Sequence, residues 1–236
     1  YKEFEEDRWW PPGTEDDPHI LHYAGQEFAY GIDLIFVALE EEDTSMWYED
    51  QDGVDGEWSF VFDICEDVFM PNPNSSDAAI AGALIGVNPS ASPEQTQKHR
   101  YRKQLVANQS GRAIMGYVYT SSGLGESSTD VVFGGAIVIA ENSHILAEGR
   151  AAGEGEVRFE SRWITQDIDI QYLKASRRKM SSFARRPPPR KFRRVTVRTS
   201  KETKDLKRNI RGLTFVPAGT RSMTERCNEI LDLQAG

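Results

Sequence analysis

The stretch VFDICEDVFMPNP, residues 61–73, places one thiol between an apolar run and two acids. A strand that ends in a sharp turn presents a side chain at the rim of a sheet, where a serine or cysteine can serve as a nucleophile. Cys65 stands at such an end, and Pro71 and Pro73 break the chain shortly afterwards. The residue after the turn would also offer its backbone N–H to a developing oxyanion. The same pattern equally suits a cysteine packed in a core as a small apolar group. The four histidines, His19, His22, His99 and His144, fall in no Cys–His protease context. A nucleophilic Cys65 would therefore take a carboxylate as its base.

Two other stretches invite chemistry. SSGLGESSTD, 121–130, is a Gly- and Ser-rich loop whose N–H groups could cradle a phosphate. It departs from the SGGxDS pyrophosphate loop, with Leu124 at the second glycine and Glu126 standing further along instead of an aspartate, so ATP binding is not expected here. Residues 174–211 are crowded with Lys and Arg against only Glu202 and Asp205. Such a run can neutralise nucleic-acid phosphates, but Phe183 and Phe192 are isolated and form no stacking platform. A linker or oligomer contact is the better expectation, and no metal site is expected.

The elements that must position Cys65 are readable in outline. EFAYGIDLIFV (27–37) is apolar and extended, and WSFVFDIC (58–65) is a strand. SSDAAIAGA (75–83) reads as a short Ser-capped helix. LIGVNPSAS (84–92) is a strand entering a polar loop. Residues 94–114 have helical spacing at Tyr101, Leu105 and Ile114, and MGYVYTSS (115–122) is a strand. VVFGGAIVIAENSHILAEG (131–149) is a hairpin turning at Glu141-Asn142-Ser143. Residues 157–173 supply a further strand and a helix start. Strands alternating with helices give an α/β or α+β layered domain. The segment 40–57 reads as a solvated acidic loop, and 175–212 as an extended, basic, Pro-rich arm.

The chain has 236 residues, enough for one large domain or two small ones. Cys65 and Cys227 supply no disulfide framework, and no run reaches the roughly 20 apolar residues of a membrane span. A reducing, cytoplasmic setting is the natural reading. Cys227 is expected to be structural. The net charge of −9 is unevenly spread: residues 1–57 are strongly acidic, opposed only by Lys2 and Arg8. Separated blocks of opposite charge often pack against each other or a partner. The opening YKEFEEDRWW and the closing ERCNEILDLQAG both suggest a fragment.

Taken in order, ICEDVFMPNP, AIAGALIGVNPSAS, YRKQLVANQSGRAIMGYVYTSSGLGESSTDVVFGG and AENSHILAEG resemble the glutaminase domain of glutamine-dependent NAD⁺ synthetases. That domain is of the nitrilase (carbon-nitrogen hydrolase) superfamily. The opening YKEFEEDRWWPPG looks like the segment just after the family's catalytic lysine, and LTFVPAGTRSMTERCNEILDLQAG like the passage into the synthetase domain. The resemblance covers nearly the whole chain. It implies a four-layer α-β-β-α sandwich, here partial, over residues 1–174, with the passage at 213–236.

It further implies a Glu-Lys-Cys triad. Cys65 matches the nucleophile, and the Glu66 N–H would help hold the oxyanion. Tyr1 and Ser92 match residues that contact glutamine. Lys98 falls where an arginine is more usual, keeping the charge without the bidentate fork. Glu6 matches an auxiliary carboxylate. The triad Glu and Lys would lie ahead of the motif that Tyr1 begins. A thiol near its ordinary pKa of about 8.5 is mostly protonated at neutral pH, so the 236 residues alone are expected to be inactive. The implied partners are L-glutamine, the synthetase domain of the same protein and other copies in a homo-oligomer. No cofactor is expected on this chain; ATP and Mg²⁺ would serve the synthetase domain. The alternatives are a free-standing nitrilase-type amidase and a non-catalytic interaction module built on the basic arm.

Overall fold

A computed structural model describes residues 20–39, 58–126, 131–150, 161–199, 205–208, 210 and 220–235. Tyr1, Glu6 and the acidic segment 40–57 lie outside the described residues. Strands β1 (Ile20–Tyr23) and β2 (Gln26–Ala29) form a separate hairpin turning at Ala24-Gly25, both with positive φ. A seven-stranded sheet follows, built from β3 (Leu34–Leu39), β4 (Trp58–Phe62), β5 (Ile85–Ser90), β6 (Gly116–Ser121), β7 (Ile137–Glu141), β8 (His144–Gly149) and β9 (Arg193–Arg198). Its order is β8-β7-β6-β5-β4-β3-β9. The middle strands β4, β5 and β6 run parallel, while β6-β7-β8 form an antiparallel meander.

Helices α1 (Asn74–Ile80) and α2 (Lys98–Ala113) cross between these parallel strands and pack on the sheet. The strand period of two turns Ile35, Val37, Val61, Tyr117, Tyr119 and Val138 to one face. There they meet Ala78 and Ala79 of α1 and Val106 and Ala113 of α2. Burying each large apolar side chain there is worth roughly 1.5–3 kcal/mol. The expected layered α/β class is what these residues form; of the four layers, they show a sheet with helices packed on it. The β7–β8 turn is tighter than the three residues read from sequence. Asn142 and Ser143 alone make it, at φ 43° and 76°, as in type I′ hairpins.

Several expectations need correction. The helix at 74–80 has no Ser side-chain cap: Pro73 is its N-cap, and Ser75 lies inside the first turn, fully buried. The buried face of α2 is Arg102, Val106, Gln109, Ser110 and Ala113, while Tyr101 is half exposed. Three of those five are polar, so an apolar period could not mark that face. Of the strand read in 157–173, residues 157–160 lie outside the described residues, and 161–169 hold no strand.

The basic stretch is not simply an arm. Helix α3 (Ile170–Lys179), the short α4 (Ser181–Ala184) and β9 all fall within or reach into 175–212. Strand β9 pairs parallel with β3 along its length. Composition misled because the core material here is arginine. The Arg193 guanidinium grips Asp33 through both carboxylate oxygens, at 2.8 and 2.6 Å, and donates to the Tyr30 carbonyl at 2.6 Å. Asp33 belongs to the acidic segment, so this pair is one described case of the two charge blocks meeting.

Arg177 donates to the carbonyls of Ile114, Ala79, Ala83 and Ala113 at 2.7–3.2 Å. These lie at and just beyond the C-termini of α1 and α2, where carbonyls lack partners and the dipole favours a cation. Burial lowers the Arg177 pKa to about 10. Phe183 lies under that guanidinium, its ring centre 5.1 Å away. Residues 205–236 form a compact unit of their own, holding α5 (Thr220–Ala235). Cys227 is exposed on α5, which does not fit the structural role expected of it.

Candidate active site

Cys65 is the first residue of a 3₁₀ turn, Cys65–Phe69, separated from β4 by Asp63 and Ile64. Its φ of +49° is in the left-handed region, which a non-glycine residue occupies at a cost of order 1 kcal/mol. The turn is held locally: the Ile64 N–H donates to Asp67 Oδ2 at 2.7 Å, and the Asp67 N–H to the Ile64 carbonyl at 3.0 Å. Asn88 of β5 reaches across to the Asp63 and Cys65 carbonyls at 3.0 and 3.4 Å. The thiol is largely buried, with the Ser90 hydroxyl 3.8 Å from Sγ.

This places Cys65 at the carboxyl ends of the parallel strands, the usual ligand side of such a sheet. A cavity of about 300 Å³ opens there, lined by Cys65, Glu66, Phe69, Met70, Ser92, Lys98 and Tyr101, among others. That is at the small end of the roughly 300–1,000 Å³ typical of ligand sites. Four of the six residues named from sequence, Cys65, Glu66, Ser92 and Lys98, thus share one cavity. Tyr1 and Glu6 lie outside the described residues.

Lys98 opens α2, and its Nζ stands 6.0 Å from the centre of the Phe69 ring. Burial, then the charge of Arg102, pushes its pKa down; Glu94 and Cys65 pull the other way. Ser92 is carried by the loop after β5 and is buried. Its position is fixed by a residue that the sequence reading missed. Arg102 donates to the carbonyls of Ser92 and Pro93, both at 3.0 Å, and to Glu94 Oε2 at 2.7 Å. The only sequence signal was the Glu94–Arg102 pair of opposite charges bracketing the helix start. Among the described residues, no group of three His, Cys, Asp or Glu side chains is placed to hold a metal ion.

Compared with known proteins, the chain matches no family model. It is 31% identical over 241 residues to the glutamine-dependent NAD(+) synthetase of Mycobacterium tuberculosis strain H37Rv, covering 99% of this chain and 32% of that protein. The protein of the same name from Mycobacterium leprae is 32% identical over 242 residues, again covering 99% of this chain and 32% of the relative. The chain therefore spans about a third of the length of the curated relatives it matches. Similar solved structures include a glutamine-dependent NAD(+) synthetase from Cytophaga hutchinsonii, at TM-score 0.43 and 22% identity over 62% of this chain and 20% of that one. A carbon-nitrogen hydrolase from Helicobacter pylori G27 gives TM-score 0.42 and 15% identity over 55% of this chain and 46% of that one.

Proposed function

We propose that this chain, a homologue of about a third of the glutamine-dependent NAD(+) synthetases, carries the glutamine-hydrolysing site of such an enzyme, with Cys65 as nucleophile. The observation that supports this reading is the convergence of Cys65, Glu66, Ser92 and Lys98 on one cavity. The Cys65 thiolate attacks the side-chain amide carbon of glutamine, forming a tetrahedral oxyanion. The Glu66 N–H donates to that oxyanion, where a preorganised donor is worth most. Collapse expels the amide nitrogen, protonated, as ammonia and leaves a glutamyl thioester. Water then attacks the thioester, releasing glutamate and restoring the thiol. Lys98 faces the substrate's α-carboxylate, and Ser92 supplies a hydroxyl to its polar end.

By the resemblance, a proton-carrying carboxylate and a lysine complete the triad with Cys65. In the longer protein the ammonia would pass to the synthetase domain, where ATP and Mg²⁺ act. No step at Cys65 uses them. The partners follow: L-glutamine, the synthetase domain and further copies of the same protein. Among the described residues no helix is long and apolar enough to cross a membrane.

The test is covalent capture. A diazoketone analogue of glutamine is incubated with the full-length protein containing this chain, and the adduct is mapped by mass spectrometry. Labelling at Cys65, lost in Cys65→Ser and blocked by glutamine, is the expected result. An adduct on Cys227 alone, or none, would sink the proposal.

A further inference from the structure

Three hydrogen-bond donors converge on Asp63, two residues before the thiol. Ser75 donates from its backbone N–H to Oδ1 at 2.8 Å and from its hydroxyl to Oδ2 at 2.5 Å. The Tyr117 hydroxyl donates to Oδ2 at 2.6 Å. Gln109 donates to Ser75 Oγ at 2.9 Å, which leaves the serine proton directed at the carboxylate. Asp63, Ser75 and Tyr117 are fully buried. Among the described residues no cation pairs with Asp63. Desolvation is the largest influence on its pKa and raises it, against the three donors.

The network ties together elements distant in sequence. Ser75 lies on α1, Gln109 on α2 and Tyr117 on β6. To reach β4, Tyr117 passes over Gly86 of β5, where an added Cβ would meet the ring at 2.6 Å. The Asp63 backbone is held too: its N–H donates to the Val87 carbonyl at 2.9 Å, and its carbonyl accepts from Asn88. The chain just past β4 is therefore held through both the backbone and the side chain of Asp63 where it enters the turn with Cys65 at φ +49°.

The geometry points to Asp63 as a positioning residue: its buried network clamps the chain just past β4 to α1, β5 and β6 and holds Cys65 in the left-handed turn that lines the cavity. The inference rests on Cys65 being the nucleophile, but its test needs no glutamine turnover, so the two fail separately. A left-handed position favours glycine over alanine. In this chain Cys65→Gly should therefore melt about 2–4 °C above Cys65→Ala. With Asp63→Asn or Tyr117→Phe added, the turn relaxes and that gap closes. In the same two backgrounds with Cys65 intact, the pH profile of its alkylation by iodoacetamide shifts, read by peptide mapping against the exposed Cys227. If Asp63→Asn does not fold, Tyr117→Phe carries the comparison alone. A network that merely adds stability would lower every melting point while leaving the glycine–alanine gap and the pH profile unmoved, and that result overturns the assignment.

Discussion

Arg102 Nη1 stands 2.7 Å from Glu94 Oε2, closing the loop that carries Ser92. Both side chains are largely buried, and Glu94 is itself anchored through its N–H to the Val132 carbonyl at 2.6 Å. A Cβ added at Gly134 would overlap the Glu94 carboxylate. The loop is therefore held by a buried ion pair with little room around it. Arg102→Met leaves that carboxylate and two carbonyls without their partner, a loss of about 3–5 kcal/mol. Arg102→Lys recovers only part, because an ammonium cannot reproduce the fork. Urea unfolding checks both; a methionine variant as stable as the parent would contradict the account.

Among the described residues, Lys98 is the one cation in the lining of the candidate cavity. If it receives the substrate carboxylate, Lys98→Ala raises KM for glutamine by about 10–100-fold, since a hydrogen bond to a charged group is worth about 1.5–3 kcal/mol. kcat should change far less, and Lys98→Arg should keep KM near the parent value. Steady-state kinetics on the full-length protein separate the two constants. A fall in kcat with KM unchanged would assign Lys98 to the chemistry instead.

Arg177 tests how far the basic stretch belongs to the domain. Its four carbonyl partners come from the ends of two helices. Arg177→Met strands them and should cost about 3–5 kcal/mol, with Arg177→Lys in between. Thermal melts decide it. Loss of 1 kcal/mol or less in the methionine variant would mean that α3 only rests on the surface.

His99 gives a pH dependence with a definite sign. Burial, then the charge of Arg150, holds its imidazole below the ordinary value, although Glu148 lies 3.5 Å away. The unfolded chain binds this proton near pH 6.5, the folded chain only at lower pH. Between those two values the unfolded state holds more protons, so stability is lost as pH falls through the window. Denaturant midpoints compared between about pH 7.5 and 5.5 should drop more for the parent than for His99→Gln. Equal drops would remove His99 from the account.

What the sequence by itself determined was local. Strand and helix positions follow from short-range patterning, and the pairing of Cys65 with the turn after it was legible because an apolar run, two acids and two prolines are consecutive. The homology of the whole chain was legible from ordered motifs in the same way. The tertiary structure decided everything that rests on polar groups meeting across the fold. Arg102, Gln109 and Ser110 share the buried face of α2 with Val106 and Ala113, and Arg177 and Arg193 stitch a stretch that composition assigns to solvent. Asp63 looks like any acid in a strand until Tyr117, 54 residues later, is seen bonded to it. Hydrophobic periodicity registers what water expels. A buried charge is admitted only where specific donors or acceptors already wait for it, and no window of sequence contains both halves of that arrangement.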